Sequence, residues 1–392
     1  MSPDAFDIVI IGGGVMGCAV AYHLKTLDAR LSVLVLERDP SYVAASSTLS
    51  ASSIRQQFST PVNIALSRYG FAFLREAGER LAVGDERPDL GLQERGYLYL
   101  ATAAGAATLR AVNAVQRGCG ADVALFETAV LARRFPWLAT DDIALASLGL
   151  AGEGWFDGYG LLQALRRKAR SLGAEFRAVE ATGLRCGGAR IEGVQCGDGR
   201  VVACGEVVNA AGPRAAQVAR MAGVELPVLA MRHCVFVFEC REAIDGVPLV
   251  IDPGGTWFRP EGRRFIAGAP PREPAAPANA TLEVDHAQFD EEIWPALARR
   301  VPAFEAIRQT SSWAGFYEMN TFDHNAIVGR VPQCTNLLLI NGFSGHGLQQ
   351  APAAGLALAE LIVHGATRTL DVAPLGYDRI AAGRPLRELN VI

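Results

Sequence analysis

Apolar positions along this chain fall into two patterns, short continuous runs and longer helical periodicities, and their order predicts the architecture. Phe6 to Ile11 is a brief apolar run rich in β-branched residues, as expected of a strand buried on both faces. A glycine loop follows, then a helical pattern from about Met16 to Thr26. A second buried strand, Leu31 to Leu36, ends at Glu37. This is a β-α-β unit, the building block of a doubly wound sheet. From about Leu90 to Ser147, turns and mixed patterns replace that alternation. Gly160 to Gly173 predicts a helix. Val179 to Gly205 reads as short alternating segments around the Asp-Gly hairpin turn of Cys196-Gly197-Asp198-Gly199-Arg200. Glu206 to Ala210 is a further short strand, ending in Ala211-Gly212-Pro213. From Leu226 to Gly268, alternating runs such as Cys234 to Glu239 predict an antiparallel sheet. Gly268 to Thr281, rich in Pro and Ala, reads as a surface loop. The opening style then returns, with a buried strand from Asn336 to Asn341, a glycine loop from Gly342 to Gly347, and a helix from Leu348 to His364.

Composition narrows the function classes. With 392 residues, half of them apolar, the chain can bury two domains. A net charge of −4 lacks the basic footprint of a nucleic-acid binder. The eight cysteines form no C-x-x-C pair, so they predict free thiols of a reducing compartment and no metal site. Asp4 and Asp7 replace the basic start of a signal peptide. The apolar stretch from Ile8 to Ala21 is too short and too glycine-rich to span a bilayer. The expectation is a soluble cytoplasmic protein without a transmembrane segment.

The chemistry begins at Gly12-Gly13-Gly14-Val15-Met16-Gly17. A G-x-G-x-x-G between a buried strand and a helix is a dinucleotide-binding signal. Gly12 permits the tight turn, Gly14 admits a pyrophosphate to the backbone, and Gly17 lets helix and strand close. The start of the helix offers free N–H groups and a positive dipole end. Glu37, at the end of the second strand, is placed to accept hydrogen bonds from ribose hydroxyls. Two later loops separate FAD from NAD. In Ala210-Ala211-Gly212, small residues let the chain pass close over a cofactor. In Gly342-Phe343-Ser344-Gly345-His346-Gly347, a helix start can face the pyrimidine edge of a flavin, where negative charge develops on reduction.

These residues, together with Ser46-Ser47-Thr48 to Ile54-Arg55, the Val-Val-Asn-Ala-Ala-Gly-Pro turn at 207–213, Trp313 to Gly329, and Gly342 to Gly355, resemble the D-amino-acid oxidase superfamily, which includes glycine and sarcosine oxidases and D-amino-acid dehydrogenase. Gln56-Gln57-Phe58-Ser59 with Pro61 and Asn63, and Asn320 to Asp323 with Asn325, are similar to a branch of FAD-dependent proteins linked to respiratory complex I assembly. The resemblance implies an α/β fold, α+β overall. A Rossmann-like FAD-binding domain with a β-meander would come from 1–85, 148–228 and 322–392. A substrate domain with a mixed or antiparallel sheet flanked by helices would come from 86–147 and 229–321. It implies non-covalent FAD held by Gly12, Gly14, Val15, Met16, Gly17, Glu37, Arg38, Ser46, Ser47, Thr48, Ser53, Ala210, Ala211, Gly212, Gly342, Gly345, His346, Gly347, Leu348 and Gln349.

The departures from that pattern shape the functional expectation. Tyr317, with Glu318 beside it, stands where glycine oxidase and D-amino-acid oxidase carry a carboxylate-binding Arg. Phe316 or Tyr317 replaces the Cys through which monomeric sarcosine oxidase attaches its flavin. Gln349 replaces a Lys two residues after Gly-His-Gly, and Ile266 stands near the Lys associated with oxygen activation. The candidate substrate residues are Arg55, Tyr317, Glu318, Arg259 and His346. Arg259, after Trp257-Phe258, could grip a carboxylate bidentately. Arg232 and His233 are weaker candidates. The expected function is oxidation of the C–N bond of an amino-acid-like amine (a D-amino acid or N-alkyl glycine, for example) by hydride transfer to flavin N5. The electrons would pass to an unknown acceptor other than oxygen. Two alternatives stand beside it, a 2-hydroxy-acid dehydrogenase and a flavin-bearing assembly protein with little turnover of its own.

Overall fold

The computed structural model describes residues 4–272 and 281–389. Two eight-stranded sheets dominate it. In the first, the central order is Ile327–Val331, Cys334–Asn341, Val201–Asn209, Ala5–Ile11, Val33–Glu37 and Glu175–Ala178. Ala5–Ile11 pairs in parallel with both Val201–Asn209 and Val33–Glu37, and Val201–Asn209 pairs in parallel with Cys334–Asn341. The register puts Ile11 beside Asn209 and beside Leu36. Val9, Ile10, Val207, Val208, Leu338 and Leu339 are all fully buried, because helices or packed strands cover both faces. Ala181–Gly187 and Arg190–Cys196 extend the sheet as an antiparallel meander, and the expected turn closes where Gly199 donates its N–H to Cys196 O at 2.9 Å.

The helices Val15–Leu27 and Gly347–His364 pack against each other on one face of this sheet. Their approach is close because Gly355 has no side chain: a Cβ there would stand 2.7 Å from that of Ala19. His23, buried between them, is held to Pro352 O at 2.9 Å.

The second sheet runs Ile307–Asn320, Val228–Cys240, Arg264–Gly268, Trp257–Glu261, Leu249–Ile251, Tyr97–Ala101, Leu145–Gly149, Val123–Glu127. Every pair is antiparallel except Leu249–Ile251 with Tyr97–Ala101. An aromatic core of Phe236, Phe238, Phe258, Phe265, Phe289 and Phe304 fills one face. The region from Leu90 to Ser147 is more regular than its sequence pattern indicated. It contributes three strands and the helices Ala106–Gly118 and Thr128–Arg134. Its strands are only five residues long, and Tyr97–Ala101 is buried on both faces, which erases the alternation that reveals a half-buried strand.

The Pro- and Ala-rich loop expected over Gly268 to Thr281 lies mostly outside the described residues, at 273–280. Among the described residues, no helix is long and apolar enough to cross a membrane. All eight cysteines are free thiols.

Candidate functional site

Three adjacent parallel strands end side by side at Ile11, Asn209 and Asn341. Each is followed at once by one of the three glycine loops, so all three loops emerge at the carboxyl edge of one sheet, where ligands bind in folds of this kind. The strand ends are tied together: Ala210 donates its N–H to Ile11 O at 2.9 Å, and Asn341 Nδ2 donates to Asn209 O at 3.0 Å.

The first loop needs glycine for two different reasons. Gly12 has φ +104°, and a Cβ on it would lie 2.3 Å from Ala210 O; a Cβ on Gly17 would lie 1.9 Å from Gly12 O. These two glycines serve the protein's own packing. Around Gly14 there is room, since its Cβ would meet nothing nearer than Ser47 Oγ at 3.8 Å. Val15 and Met16 open the helix, and no side chain caps its first N–H groups. Glu37 is fixed beside them, accepting from Gly13 N–H and Asp39 N–H at 2.8 Å each. Arg38 is exposed and lies within electrostatic reach of Arg214, just past the second loop.

Ser47 approaches the first loop from the side, flanked in the chain by Ser46 and by Thr48, whose Oγ1 is buried without a partner. Glu318 Oε2 and Asn341 Oδ1 are likewise buried and unpartnered. Two non-glycine residues here, Ser52 (φ +55°) and Ser344 (φ +50°), hold left-handed backbone conformations of the kind that gathers at ligand sites. An open cradle over Gly14, free helix N–H groups and orphaned polar atoms around three converging loops fit an adenine dinucleotide of FAD size. Met16 and Gly347 bring the first and third loops together, a Cβ on Gly347 lying 3.1 Å from Met16 Cε. Leu348 is buried beside Ser52 and Gly158. Ser53 pairs with Trp155 in a two-stranded ribbon.

Arg55 comes next along the chain and is 5% exposed. Its backbone N–H donates to Gln349 Oε1 at 2.8 Å, and its Nη2 lies 2.9 Å from His346 Nε2. The guanidinium sits over Phe58, 4.6 Å from the ring centre. Among the described residues no carboxylate lies within ion-pairing distance of it. Tyr97, Glu388, Glu153 and Tyr317 act on it only at longer range, while burial pushes its pKa down. Glu153, fully buried, accepts from the backbone N–H groups of Gln56, Gln57 and Tyr97 and from Gln57 Nε2, which fixes the segment immediately after Arg55. His346 is driven well below its ordinary value, first by burial and then by the Arg55 charge.

A cleft lies between the Ser46–Ala51 segment and the second sheet. It is lined by Leu49, Ser50, His233, Val235, Trp257, Phe316 and Tyr317, among others. The rings of Tyr317 and His233 stack with centres 3.8 Å apart. Burial lowers the His233 pKa to about 4, and its Nε2 has no partner. His233, a weaker candidate that the sequence places just ahead of a strand, lies inside Val228–Cys240. Its placement depends on the cross-strand register, His233 opposite Gly315, which no local pattern reveals.

The structure therefore gathers Arg55, Tyr317, His346 and Gln349 around one point. It places Glu318 on the side of the second and third loops, facing Gly212. Arg259 is engaged elsewhere. Its Nη2 donates to Ala51 O at 2.7 Å and its Nη1 to Pro260 O at 2.8 Å; Nη1 also pairs with Glu261. It ties the second sheet to the Ser46–Ala51 segment. Phe316 and Tyr317 offer no thiol for covalent attachment of a flavin.

Residues 7–361 match the family described as DAO: FAD dependent oxidoreductase. The FAD-dependent oxidoreductase domain-containing protein 1 of Xenopus laevis is 42% identical, over 100% of this chain and 86% of that protein. Mitochondrial sarcosine dehydrogenase of Homo sapiens is 28% identical over 93% of this chain and 40% of that protein. Among solved structures, L-proline dehydrogenase from P. horikoshii superposes with a TM-score of 0.87 at 25% identity, covering 98% of this chain and 100% of that one.

Proposed function

The chain belongs to the DAO family of FAD-dependent oxidoreductases, and on that premise we propose that it oxidises the C–N bond of an amino-acid-like amine whose carboxylate is held by Arg55. FAD is its cofactor, and it supplies the two-electron acceptor for the C–H bond next to the substrate nitrogen. The observation that carries the proposal is the buried Arg55 guanidinium without a carboxylate partner. Burying an uncompensated cation is costly, and an anionic ligand removes that cost. We assign the cofactor to the unit built from 1–85, 148–228 and 322–392, and one wall of the substrate cleft to the unit built from 86–147 and 229–321, the other wall being the Ser46–Ala51 segment of the first unit.

In this reading the protein's own groups position and desolvate. Arg55 binds the carboxylate through the donors that His346 leaves free. The walls of Leu49, Val235, Trp257 and Phe316 exclude water. An ammonium entering beside Arg55 and those walls loses its proton readily, because burial and a like charge both disfavour its cationic form. The free nitrogen of neutral His233 then orients the amine by hydrogen bonding. The imine product hydrolyses after release.

A dehydrogenase is favoured over an oxidase. Ile266, near the position of the oxygen-activating Lys of relatives, is 1% exposed, packs with Val235, Val237, Ala51 and Trp257, and itself carries no charge to stabilise reduced oxygen. Anaerobic bleaching of the flavin by N-methyl amino acids, D-amino acids and 2-hydroxy acids tests the whole reading. Bleaching by carboxylated amines, slow reoxidation in air and turnover with a dye acceptor are expected. Bleaching by hydroxy acids alone, or by amines lacking a carboxylate as readily as by amino acids, would overturn it.

A further inference from the structure

Glu318 follows Tyr317 on the strand Ile307–Asn320, and successive side chains on a strand leave opposite faces. Tyr317 turns to the His233 stack in the cleft and to Gly345 of the third loop; Glu318, on the opposite face, turns to Gly212 of the second loop. Its Oε2 lies 4.0 Å from where a Cβ on Gly212 would be, and nothing stands closer to that position. Gly212 has φ +55° and forms the crest of the second loop. On the other side, the N–H groups of Gly342 and Phe343 in the third loop reach the Glu318 carboxyl. Ser344 N–H donates to the Glu318 backbone carbonyl at 3.1 Å, which locks the strand to the loop. The carboxyl thus lies against the third loop, and its Oε2 is buried, has no partner and faces Gly212 of the second loop.

An unpartnered buried carboxyl oxygen is expensive unless a ligand completes it. We propose that Glu318 carries its proton into the cofactor site and donates it in a hydrogen bond to an acceptor atom of FAD. The role is independent of which amine is the substrate. Burial raises the Glu318 pKa to about 7, and only the Gly342 and Phe343 N–H groups oppose that rise. The ionisable neighbours do not offset it. Arg232, diagonal to Glu318 on the same face of the adjacent strand, does not act on it; Arg214, beyond Gly212, turns to Glu180 at 3.5 Å; His346, in the third loop, pairs with Arg55. A group whose protonated form binds the ligand holds that affinity below its free pKa and loses it as pH rises. FAD retention should therefore be full below about pH 7 and weaken above it.

The test is the rate of FAD release from the holoprotein after dilution, followed by the rise in flavin fluorescence, between pH 6 and pH 9. Release from the unaltered protein should accelerate about tenfold across that range, the loss of one hydrogen bond. Glu318→Gln keeps a donor without a titrating proton and should flatten the profile. Glu318→Ala should release FAD fast at every pH. A Glu318→Gln protein with the unaltered pH profile overturns the proposal even if the alanine variant fails to fold. So does a Glu318→Gln protein that changes only the KM for amine and leaves FAD release as it was, since that outcome returns Glu318 to the substrate side.

Discussion

Arg55 Nη2 lies 2.9 Å from His346 Nε2, and a guanidinium can only donate, so His346 presents a lone pair there and carries its proton on Nδ1. The low pKa of His346 follows from the same contact and from burial. A neutral histidine leaves the Arg55 charge uncancelled. The histidine hydrogen-bonded to the guanidinium therefore adds no charge to the place where a carboxylate would bind.

Arg55→Ala should raise KM for the amine substrate about 100-fold or more, the usual range for truncating one side of a desolvated charge pair. The ratio of flavin to protein absorbance should stay near that of the unaltered protein. Steady-state kinetics and that ratio, measured on the same preparation, check both halves.

Arg259→Ala should act differently. Its terminal nitrogens are committed to Ala51 O, Pro260 O and Glu261, so its loss frees the Ser46–Ala51 segment from the second sheet. A melting temperature lower by about 5 °C is expected, with reduced FAD content. A large rise in KM at unchanged melting temperature would place Arg259 in the substrate site instead.

Gly14→Ala and Gly17→Ala should separate cofactor contact from architecture. A Cβ on Gly17 collides with Gly12 O at 1.9 Å, whereas one on Gly14 meets only Ser47 Oγ at 3.8 Å. Gly17→Ala should yield little folded protein. Gly14→Ala should fold with normal circular dichroism and bind FAD at least about tenfold more weakly, because the methyl group fills the approach to the pyrophosphate.

Arg379→Ala should cost about 3–5 kcal/mol of stability, since it strands the Asp323 carboxylate. The pair meets at 2.7 Å with both side chains buried. Arg379 also donates to the carbonyls of Asn325, Ala326 and Leu375. Thermal or denaturant unfolding measures the loss. Asp323→Asn in the same background should recover part of it by removing the stranded charge.

That network explains motifs whose sequence spacing was distinctive but mute. Asn63 Nδ2 donates to Asn325 Oδ1 at 2.6 Å and to Glu388 Oε1 at 2.7 Å, and Gln350 Nε2 donates to Asn63 Oδ1 at 3.2 Å. Gln57 joins Glu153, Ser147 and the Tyr97 carbonyl. These polar residues brace the elements behind Arg55 and the third loop. Nothing local could have announced it, because their partners lie 40 to more than 300 positions away.

By itself the sequence determined the strands that lead into the glycine loops, the loops themselves and the cofactor class, because each is written in neighbouring residues. A buried run, a turn that tolerates no side chain and a helix start need only local order to be recognised. Only the tertiary structure decided that Arg259 is tied to Ala51 and Glu261 while Arg55 meets no carboxylate among the described residues, that His233 stacks on Tyr317, and that Glu318 faces Gly212 from the opposite side of the strand. Those outcomes depend on strand register and on long-range pairing. The charge of a buried side chain is cancelled or left free by residues brought from distant parts of the chain, and only the folded structure determines which those are.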